Sequence, residues 1–417
     1  MDGAETERVV IIGGGVVGVS SAYFLSQHYE ELNKGSSSNG QREVDIVLVE
    51  RTGLASCASG AAGGFLAKGT FHQGADIEEL STKGFDLHQQ LADELDGYSR
   101  YGYRRVSTYS VECSPNAAKA SNLASEKVVD SDTEISWLKQ DAIISSMQIG
   151  SASDTAQVTP KLLVETLWQE ASSRGARLVL AGVTDIKREN AATVDKRLHK
   201  YTVTLSNGSS IAATKVLVCM GPWTYYAREY QIFADMPKSY FEIYGLLAHN
   251  SIFKPKEQIP AQALFVSISG SKYKDGDEIE FYPRPDNTLF VCGEALDDAI
   301  VIPKELDGLG SSSGGVGKPS SFNKLASIYN NLMNGTDEVS PVSTGAGYLP
   351  VRNSGLPVIS RIGQLDGVFV GAGHSCWGIL NGPITGLLLS QLCTNQDDST
   401  LLAVKNLDMF RIDRFLS

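Results

Sequence analysis

The sequence lacks the features that mark several large classes of protein. Basic residues are in deficit, because 36 Lys and Arg stand against 48 Asp and Glu, and the net charge is −12. A chain with that charge repels a nucleic-acid backbone and no basic patch offsets it, so we expect no nucleic-acid partner. Long apolar runs are also missing. No uninterrupted stretch reaches the length that crosses a bilayer, so we expect no membrane insertion.

Cysteine is sparse and scattered. The six cysteines form no C-x-x-C pair and no histidine cluster accompanies them, which argues against a zinc site or a redox dithiol. They are Cys57, Cys113, Cys219, Cys292, Cys376 and Cys393. We interpret the chain as reduced and intracellular. The acidic, polar start MDGAETER is typical of neither a signal peptide nor a transit peptide, so we expect a cytoplasmic protein without a bound metal.

What the sequence does contain is a glycine turn between a strand and a helix. In VVIIGGGVVGVSSAYFL, residues 9–25, Gly13, Gly15 and Gly18 stand at G-x-G-x-x-G spacing. That spacing makes a tight turn, lets backbone amides approach a pyrophosphate and packs the helix against its strand. A second strand, VDIVLVE, ends in Glu50, whose carboxylate can accept the hydroxyls of an adenosine ribose; GSSSNGQ forms a surface insertion before it. The pattern predicts dinucleotide binding.

The remaining pattern indicates more than one structural unit. The 417 residues are too many for one small core, and about two units are expected. Apolar positions at helical spacing predict helices over residues 82–95 and 159–174. Asn207 and Gly208 predict a hairpin turn between two alternating strands.

A glycine- and serine-rich stretch, residues 308–321, contains a GK pair that resembles part of a P-loop. Ser312 stands at the first glycine position of that motif, and Pro319 stands at its Ser/Thr position. We therefore interpret GLGSSSGGVGKPSS as a surface insertion.

A second glycine-rich turn lies near the C-terminus. DGVFVGAGHSCWGILNGPITGLLLSQL indicates a strand over residues 368–370, a turn over 371–378 and a helix that begins near Ile379. We interpret this as a helix N-terminus at the redox end of the same cofactor, where its positive end would stabilise the anion at N1 and C2=O of a reduced flavin. The alternative is a strand, turn and helix needed only for packing.

Six further blocks follow the fingerprint in an order that resembles one known family. They are SCASGAAGGFLA, residues 157–183, VLVCMGPWT, FYPRPDNTLFVCGEA, GAGHSCWGILNGPITG and FRIDR at residues 410–414. The chain is identified as a member of the D-amino acid oxidase superfamily of flavoproteins, and within it is similar to glycine and sarcosine oxidases.

The resemblance implies an α/β fold with a Rossmann-like FAD-binding domain of the GR2 type and a second, α+β substrate domain that roofs the flavin ring. The FAD-binding domain would be discontinuous and consist of residues 1–90, 150–228 and 338–417. Residues 91–149 and 229–337 would form the substrate domain.

The resemblance also implies which residues meet an extended FAD. Pyrophosphate and ribose contacts fall on Gly13, Gly15, Val16, Val17, Gly18, Glu50, Arg51 and Ser59, and contacts near the flavin ring fall on Gly63, Gly64, Phe65, Gly378, Ile379 and Leu380. The backbone of Val183 would meet the adenine, and Gly221 and Trp223 belong to a strand-glycine-tryptophan block. Arg51 is alternatively a solvated charge after a strand. Gly347 stands where sarcosine oxidases attach their flavin to cysteine, so FAD would be bound non-covalently.

Departures from the family pattern concern the substrate. Amino-acid-oxidising members carry G-L-R-P, whose arginine grips the substrate carboxylate, whereas this chain has Leu349 at the arginine position. Glu280 stands at the position of a substrate-binding tyrosine of glycine oxidase, Tyr282 has the same facing by strand alternation, and Cys376 replaces another pocket arginine. Arg352 is either a substitute clamp or a surface or structural charge. These changes favour a neutral or cationic small-molecule substrate.

Three hypotheses about function follow. The leading one is an enzyme that transfers a hydride from a C–H next to nitrogen to flavin N5, with O2 or a carrier as the final acceptor. Leu349 and Cys376 leave open a flavin-binding regulatory protein with weak or lost catalysis. A nicotinamide dehydrogenase would use the N-terminal fingerprint alone, which the second glycine-rich turn opposes. His374 either orients the backbone at the flavin or has its hydrogen bonds satisfied within its own turn.

Overall fold

The computed structural model describes residues 7–34, 44–69, 71, 74–114, 135–189, 200–269, 277–295, 298–304, 317–335, 337–394, 404 and 407–415. The strands are β1 Glu7–Ile12, β2 Val44–Glu50, β3 Phe65–Ala67, β4 Arg104–Arg105, β5 Ser107–Cys113, β6 Ile143–Gly150, β7 Thr155–Gln157, β8 Arg177–Leu180, β9 Val183–Arg188, β10 Tyr201–Leu205, β11 Ser210–Ala213, β12 Lys215–Val218, β13 Tyr244–Phe253, β14 Gln262–Ile268, β15 Asp277–Pro283, β16 Leu289–Ala295, β17 Ser343–Val351, β18 Val358–Arg361 and β19 Val368–Ala372. The α-helices are α1 Val16–Asn33, α2 Ala58–Ala61, α3 Glu78–Glu94, α4 Gly97–Arg100, α5 Pro160–Ser173, α6 Pro319–Leu332 and α7 Gly378–Cys393.

A six-stranded sheet of order β18-β19-β12-β1-β2-β8 carries the glycine turn. Its strands run parallel except for β18, which is antiparallel to β19. Alternate residues of β1 enter two separate cores: Val9 and Ile11 pack on the side of the long helices, and Val10 and Ile12 pack on the side of the β9–β11 sheet. A strand buried on both faces is apolar throughout, which is why this segment has no polar alternation.

A second large sheet has seven strands in the order β17-β13-β16-β15-β14-β5-β6. Its neighbours are antiparallel except for β14 and β5, which run parallel. Helix α6 packs on it through Leu325, Ile328, Tyr329 and Leu332. The division into two domains at the boundaries given above stays a prediction.

Most local predictions agree with the structure. The periodic segment 82–95 belongs to α3, which begins four residues earlier, and segment 159–174 contains α5. Gly208, with φ of 83°, turns β10 into β11 as predicted.

The prediction for residues 308–321 is partly wrong. Pro319 begins α6, because proline suits the first turn of a helix, where its missing N–H has no partner to lose. Residues 308–316 lie outside the described part of the chain, as does the GSSSNGQ insertion. Among the described residues, no helix combines the length and apolar character needed to cross a membrane.

Candidate active site

The glycine turn joins β1 to α1. Its glycines differ in whether the fold leaves room for a side chain. Gly13 has φ of 111°, and a Cβ there would lie 2.2 Å from the carbonyl oxygen of Cys219. A Cβ on Gly18 would lie 2.0 Å from the carbonyl oxygen of Gly13, so Gly18 allows the helix to pack against the turn. Gly15 has an extended backbone with φ of −77°, and its Cβ would meet only the Ser59 hydroxyl, at 3.1 Å. The fold therefore does not demand glycine at position 15, and its bare backbone fits the approach of a ligand.

Glu50 ends β2 beside this turn. Its Oε2 accepts a hydrogen bond from the Gly14 N–H at 2.6 Å, and its Oε1 accepts one from the Thr52 N–H at 2.9 Å. The exposed Arg51 donates from Nη1 to the carbonyl oxygen of Lys304 at 2.7 Å. These bonds fix a carboxylate next to the glycine turn, where it can accept the hydroxyls of a ribose.

A groove in three connected sections runs from Glu50 to the seven-stranded sheet. The outer section includes Gly13, Glu50, Arg51, Val183, Gly221 and Trp223. The middle section includes Val16, Val17, His374 and Gly378, and shares Gly15 and Ser59 with the outer section. The inner cavity includes Gly63, Gly64, Phe65, Glu280 and Tyr282, and shares Ala62, Leu349 and Ile379 with the middle section. The three sections share wall residues and follow one another along the groove, an arrangement that suits an extended dinucleotide.

Two helices begin side by side along the middle section. Helices α1 and α7 cross closely, because a Cβ on Gly382 would lie 2.7 Å from the Val16 side chain and one on Gly386 would lie 2.4 Å from Cβ of Ser20. Neither helix has an acidic residue in its first turn. The positive ends of both helices therefore face the same stretch of groove with no acidic residue of their own, which favours an anionic ligand.

Two wall positions suit such a ligand. The indole Nε1 of Trp223 is buried in the outer section and has no hydrogen-bond partner among the described residues. A Cβ on Gly378, at the start of α7, would meet only Cβ of His374, at 3.8 Å, so bare backbone stands against open space there. Together with Gly15 and Glu50, these positions fit a dinucleotide whose pyrophosphate lies at the start of α1.

Glu280 is the central polar group of the inner cavity. Its Oε2 accepts hydrogen bonds from the Tyr282 hydroxyl at 2.8 Å and from the Cys292 thiol at 3.1 Å. Burial, with the nearby Glu280 charge, raises the pKa of both donors well above their ordinary values. Tyr282 and Cys292 therefore stay protonated and remain hydrogen-bond donors to the carboxylate.

Aromatic rings surround this acid. Phe65 and Tyr282 stack with an angle of 4° between their planes and 5.4 Å between ring centroids. Phe265 meets Phe65 edge-on at 5.4 Å, and Trp377 lies 6.5 Å from Phe65. A Cβ on Gly63 would lie 2.6 Å from the Tyr282 ring, so glycine at this position allows the close approach of the ring.

The start of α7 is held by a histidine that the sequence did not suggest. Pro383 has no N–H, so the carbonyl of Ile379, four residues earlier, loses its helical donor. The Nε2 of His88, on α3, lies 2.9 Å from that carbonyl oxygen and donates to it. Burial lowers the pKa of His88 to about 4, so the ring is neutral and Nε2 carries its proton. His88 thus replaces the helical hydrogen bond directly beside the groove.

Arg352, Leu380 and His374 were predicted near the flavin or the substrate, but none of the three lines the inner cavity. The Cδ of Arg352 would lie 3.0 Å from a Cβ on Gly373, and burial lowers the pKa of its guanidinium. Leu380 is fully buried in the core around α1. His374 lies in the middle section with Nε2 3.1 Å from the Thr385 hydroxyl, and burial lowers its pKa to about 4. Their catalytic or flavin-contacting roles stay predictions.

Other residues enter the inner cavity without having been predicted. Cys292 and Phe290 line it from β16, beside Glu280 and Tyr282 on β15. His249 and Asn250 both line it although they are consecutive, because the register of β13 against β16 shifts between them. Alternation along β16 could have indicated the first pair, but no sequence signal marks the shift.

Proteins similar to this chain in sequence and in structure are known. A sequence model of the family described as FAD dependent oxidoreductase matches residues 8–392. A putative oxidoreductase of Schizosaccharomyces pombe is 30% identical over 410 residues, which are 93% of this chain and 94% of that protein. The crystal structure of glycine oxidase from Geobacillus kaustophilus superposes with a TM-score of 0.70 at 20% identity, over 99% of this chain and 100% of that one. L-proline dehydrogenase from P. horikoshii superposes with a TM-score of 0.65 at 16% identity, over 99% and 98%. The predicted α/β flavoprotein fold is confirmed.

Proposed function

The chain belongs to the D-amino acid oxidase superfamily of FAD-dependent oxidoreductases, and we propose that it oxidises a small amine at a carbon next to nitrogen, with FAD held non-covalently in the groove. The observation that carries the proposal is the succession of adjoining sections, with shared wall residues, from the glycine turn to the inner cavity. The inner cavity is open, with about 1430 Å³ including space that communicates with solvent. A cavity filled by its own side chains would instead have favoured a purely regulatory role.

The groove residues divide the binding of FAD between its two ends. Backbone at the start of α1 would receive the pyrophosphate, Glu50 the ribose hydroxyls and the backbone of Val183 the adenine. The flavin ring would lie near Gly63, Gly64, Phe65, Gly378 and Ile379. Gly347 lines the inner cavity without a nucleophilic side chain, which supports non-covalent attachment.

When bound, FAD accepts a hydride from carbon and passes electrons on to O2 or to a carrier. The protein supplies position and electrostatics. The start of α7 brings a positive helix end to the middle section, and His88 holds its first turn in place. The aromatic side chains that line the inner cavity would give the reacting carbon an apolar wall.

The residues that line the inner cavity favour an amine substrate over a free amino acid. Leu349 lines the inner cavity, at the position where the G-L-R-P pattern of the resemblance would place an arginine. Of the described residues that line the cavity, none is arginine or lysine. A buried carboxylate without a charged partner forgoes about 1.5–3 kcal/mol of charge-assisted hydrogen bonding and is also desolvated.

Anaerobic reduction of the bound flavin tests the proposal. FAD-loaded protein is mixed with a panel of primary, secondary and tertiary amines and with matched amino acids, and the loss of visible flavin absorption is followed by stopped flow. We expect amines to bleach the flavin faster than amino acids of equal size, and readmitted air or an added carrier to restore the colour. If dithionite bleaches the flavin and no amine or amino acid does, the catalytic proposal is wrong.

A further inference from the structure

A short segment of the chain, residues 298–304, connects two sides of the outer section of the groove, and we call it the strap. Its last residue, Lys304, lines that section. On one side, Nη1 of Arg51 donates a hydrogen bond to the carbonyl oxygen of Lys304 at 2.7 Å. Arg51 directly follows β2. This bond therefore attaches the strap to the β2 side of the groove.

The other side of the groove is attached through the 3-10 helix Gly221–Glu229, which comes shortly after β12. The hydroxyl of Tyr226 donates to the carbonyl oxygen of Ile302 at 2.6 Å, and the Glu229 carboxylate forms an ion pair with Nζ of Lys304. In the six-stranded sheet, β2 and β12 lie on opposite sides of β1, the strand that ends at the glycine turn. The strap therefore spans the outer section from its β2 side to its β12 side.

An anchor on the seven-stranded sheet holds the middle of the strap. The N–H of Ile300 donates to the carbonyl oxygen of Gly245, on β13, at 2.9 Å, and the N–H of Gly245 donates to that of Ile300 at 2.8 Å. Ile302 is fully buried and packs with Leu247 and Tyr348. A Cβ on Gly245 would lie 2.2 Å from the Ile302 side chain, so glycine at this position leaves the space that Ile302 occupies. Burial of the isoleucine side chain makes this the firm part of the attachment.

The contacts of the strap at the rim of the groove are weaker than this anchor. The side chains of Lys304 and Glu229 are 58% and 48% exposed, and exposed ion pairs contribute little because water and salt screen them. The hydrogen bond from Arg51 is exposed as well. The rim contacts can therefore break while the anchor stays in place, which allows the strap to open and close over the groove.

The strap lies at the end of the groove that we propose for the adenosine half of FAD. Glu50 and Val183 line the outer section, where the ribose and the adenine would bind. Trp223 and Tyr226 line the same section, and both also pack against the cluster that contains Ile302. The position of Ile302 therefore affects the wall of the adenosine site as well as the strap that spans it.

We propose that the strap closes over the adenosine end of bound FAD and slows its release, with Ile302 as the residue that holds the strap in place. The inference rests on the proposed binding of FAD along the groove. A dinucleotide whose adenosine lies below the strap leaves only after the rim contacts break. The strap therefore acts on the rate of FAD release more than on the rate of binding.

Truncation of Ile302 tests the strap without removing a wall residue, because Ile302 is not among the described residues that line the outer section. Val301→Ala is the matched control, since Val301 is the preceding residue and is exposed. FAD-loaded proteins are mixed with an excess of apo-glucose oxidase, which traps released FAD, and the release rate is read from the glucose oxidase activity that appears. We expect Ile302→Ala to release FAD about tenfold or more faster than the unaltered protein, and Val301→Ala to stay within about twofold of it.

Hydrogen exchange of peptides that cover residues 298–304 gives a second measurement, which needs no variant. The unaltered apoprotein is compared alone, with ADP and with FMN, because ADP and FMN correspond to the two halves of FAD. Closure over the adenosine predicts that ADP slows exchange in the strap roughly fivefold or more, whereas FMN leaves it unchanged. The Ile300 amide, which is bonded to Gly245, reports on the anchor.

Equal FAD release from Ile302→Ala and Val301→Ala would overturn the inference, as would exchange in the strap that ADP does not slow or that FMN slows equally. Either result together with normal FAD uptake would refute the strap alone and leave the proposed oxidation standing. Failure of the unaltered protein to take up FAD would refute both.

Discussion

Replacing Gly15 by valine should affect FAD binding without affecting folding. Gly15 has an extended backbone that valine adopts readily, and the only close neighbour of a new Cβ is the Ser59 hydroxyl at 3.1 Å. That hydroxyl accepts the Val16 N–H at 3.0 Å, and loss of this bond would cost about 1 kcal/mol. Replacing glycine also lowers the entropy of the unfolded chain, worth about 0.4–1 kcal/mol. The two effects nearly cancel, so Gly15→Val should fold.

The same substitution should remove FAD. A side chain at Gly15 stands in the groove where the pyrophosphate would approach the start of α1. Loss of two amide hydrogen bonds to a charged phosphate, at about 1.5–3 kcal/mol each, weakens binding by about 3–6 kcal/mol, or roughly a hundredfold to ten-thousandfold. We therefore expect folded apoprotein with little bound flavin.

The assay compares the flavin content of purified variants with their free energy of unfolding in urea. Gly18→Ala is the matched control, because its Cβ would lie 2.0 Å from the Gly13 carbonyl oxygen and must disturb the packing of α1, at about 1–3 kcal/mol or more. Gly15→Val should lose flavin and keep stability, whereas Gly18→Ala should lose stability. Stoichiometric FAD in Gly15→Val would refute the argument that this turn holds the phosphates.

Two further predictions concern buried histidines. His88→Phe should lower the free energy of unfolding in urea by about 1–3 kcal/mol, because it leaves the Ile379 carbonyl without a hydrogen-bond donor. The loss should be smaller in a Pro383→Ala background, where residue 383 regains an N–H. Equal losses in both backgrounds would contradict this role of His88. For His88 and His374 the folded pKa is about 4 and the unfolded pKa about 6.5, so the unfolded chain binds more protons between these values. The free energy of unfolding should be greatest above pH 6.5 and should fall toward pH 4 by roughly 3 kcal/mol per histidine. His374→Asn should make this fall smaller. An unaltered pH dependence in that variant would count against the shifted pKa of His374.

The sequence could predict the features that depend on residues close together in the chain. The glycine turn, the acid at the end of β2 and the Asn207-Gly208 hairpin depend on neighbours in the chain, and the structure has them as expected. Strand alternation also predicted that Glu280 and Tyr282 share a face. These are local rules of backbone geometry.

The predictions that failed or were missing depend on tertiary contacts. The β13 register shift brings both His249 and Asn250 to the cavity, and only pairing with β16 produces it. His88 reaches the Ile379 carbonyl across 291 positions of sequence, from a helix whose pattern indicated nothing but a core face. The cofactor contact of Gly18 stays a prediction, and its close packing against the Gly13 carbonyl agrees with the helix packing that the glycine spacing predicts.

The proposed oxidation depends on one FAD held in the groove without a covalent bond. The direct measurement is acid precipitation of purified protein after loading with FAD and removal of the excess, followed by quantification of flavin in the supernatant and in the pellet. We predict one FAD per chain, released into the supernatant. A protein that takes up no FAD, or flavin that stays with the pellet, would contradict it.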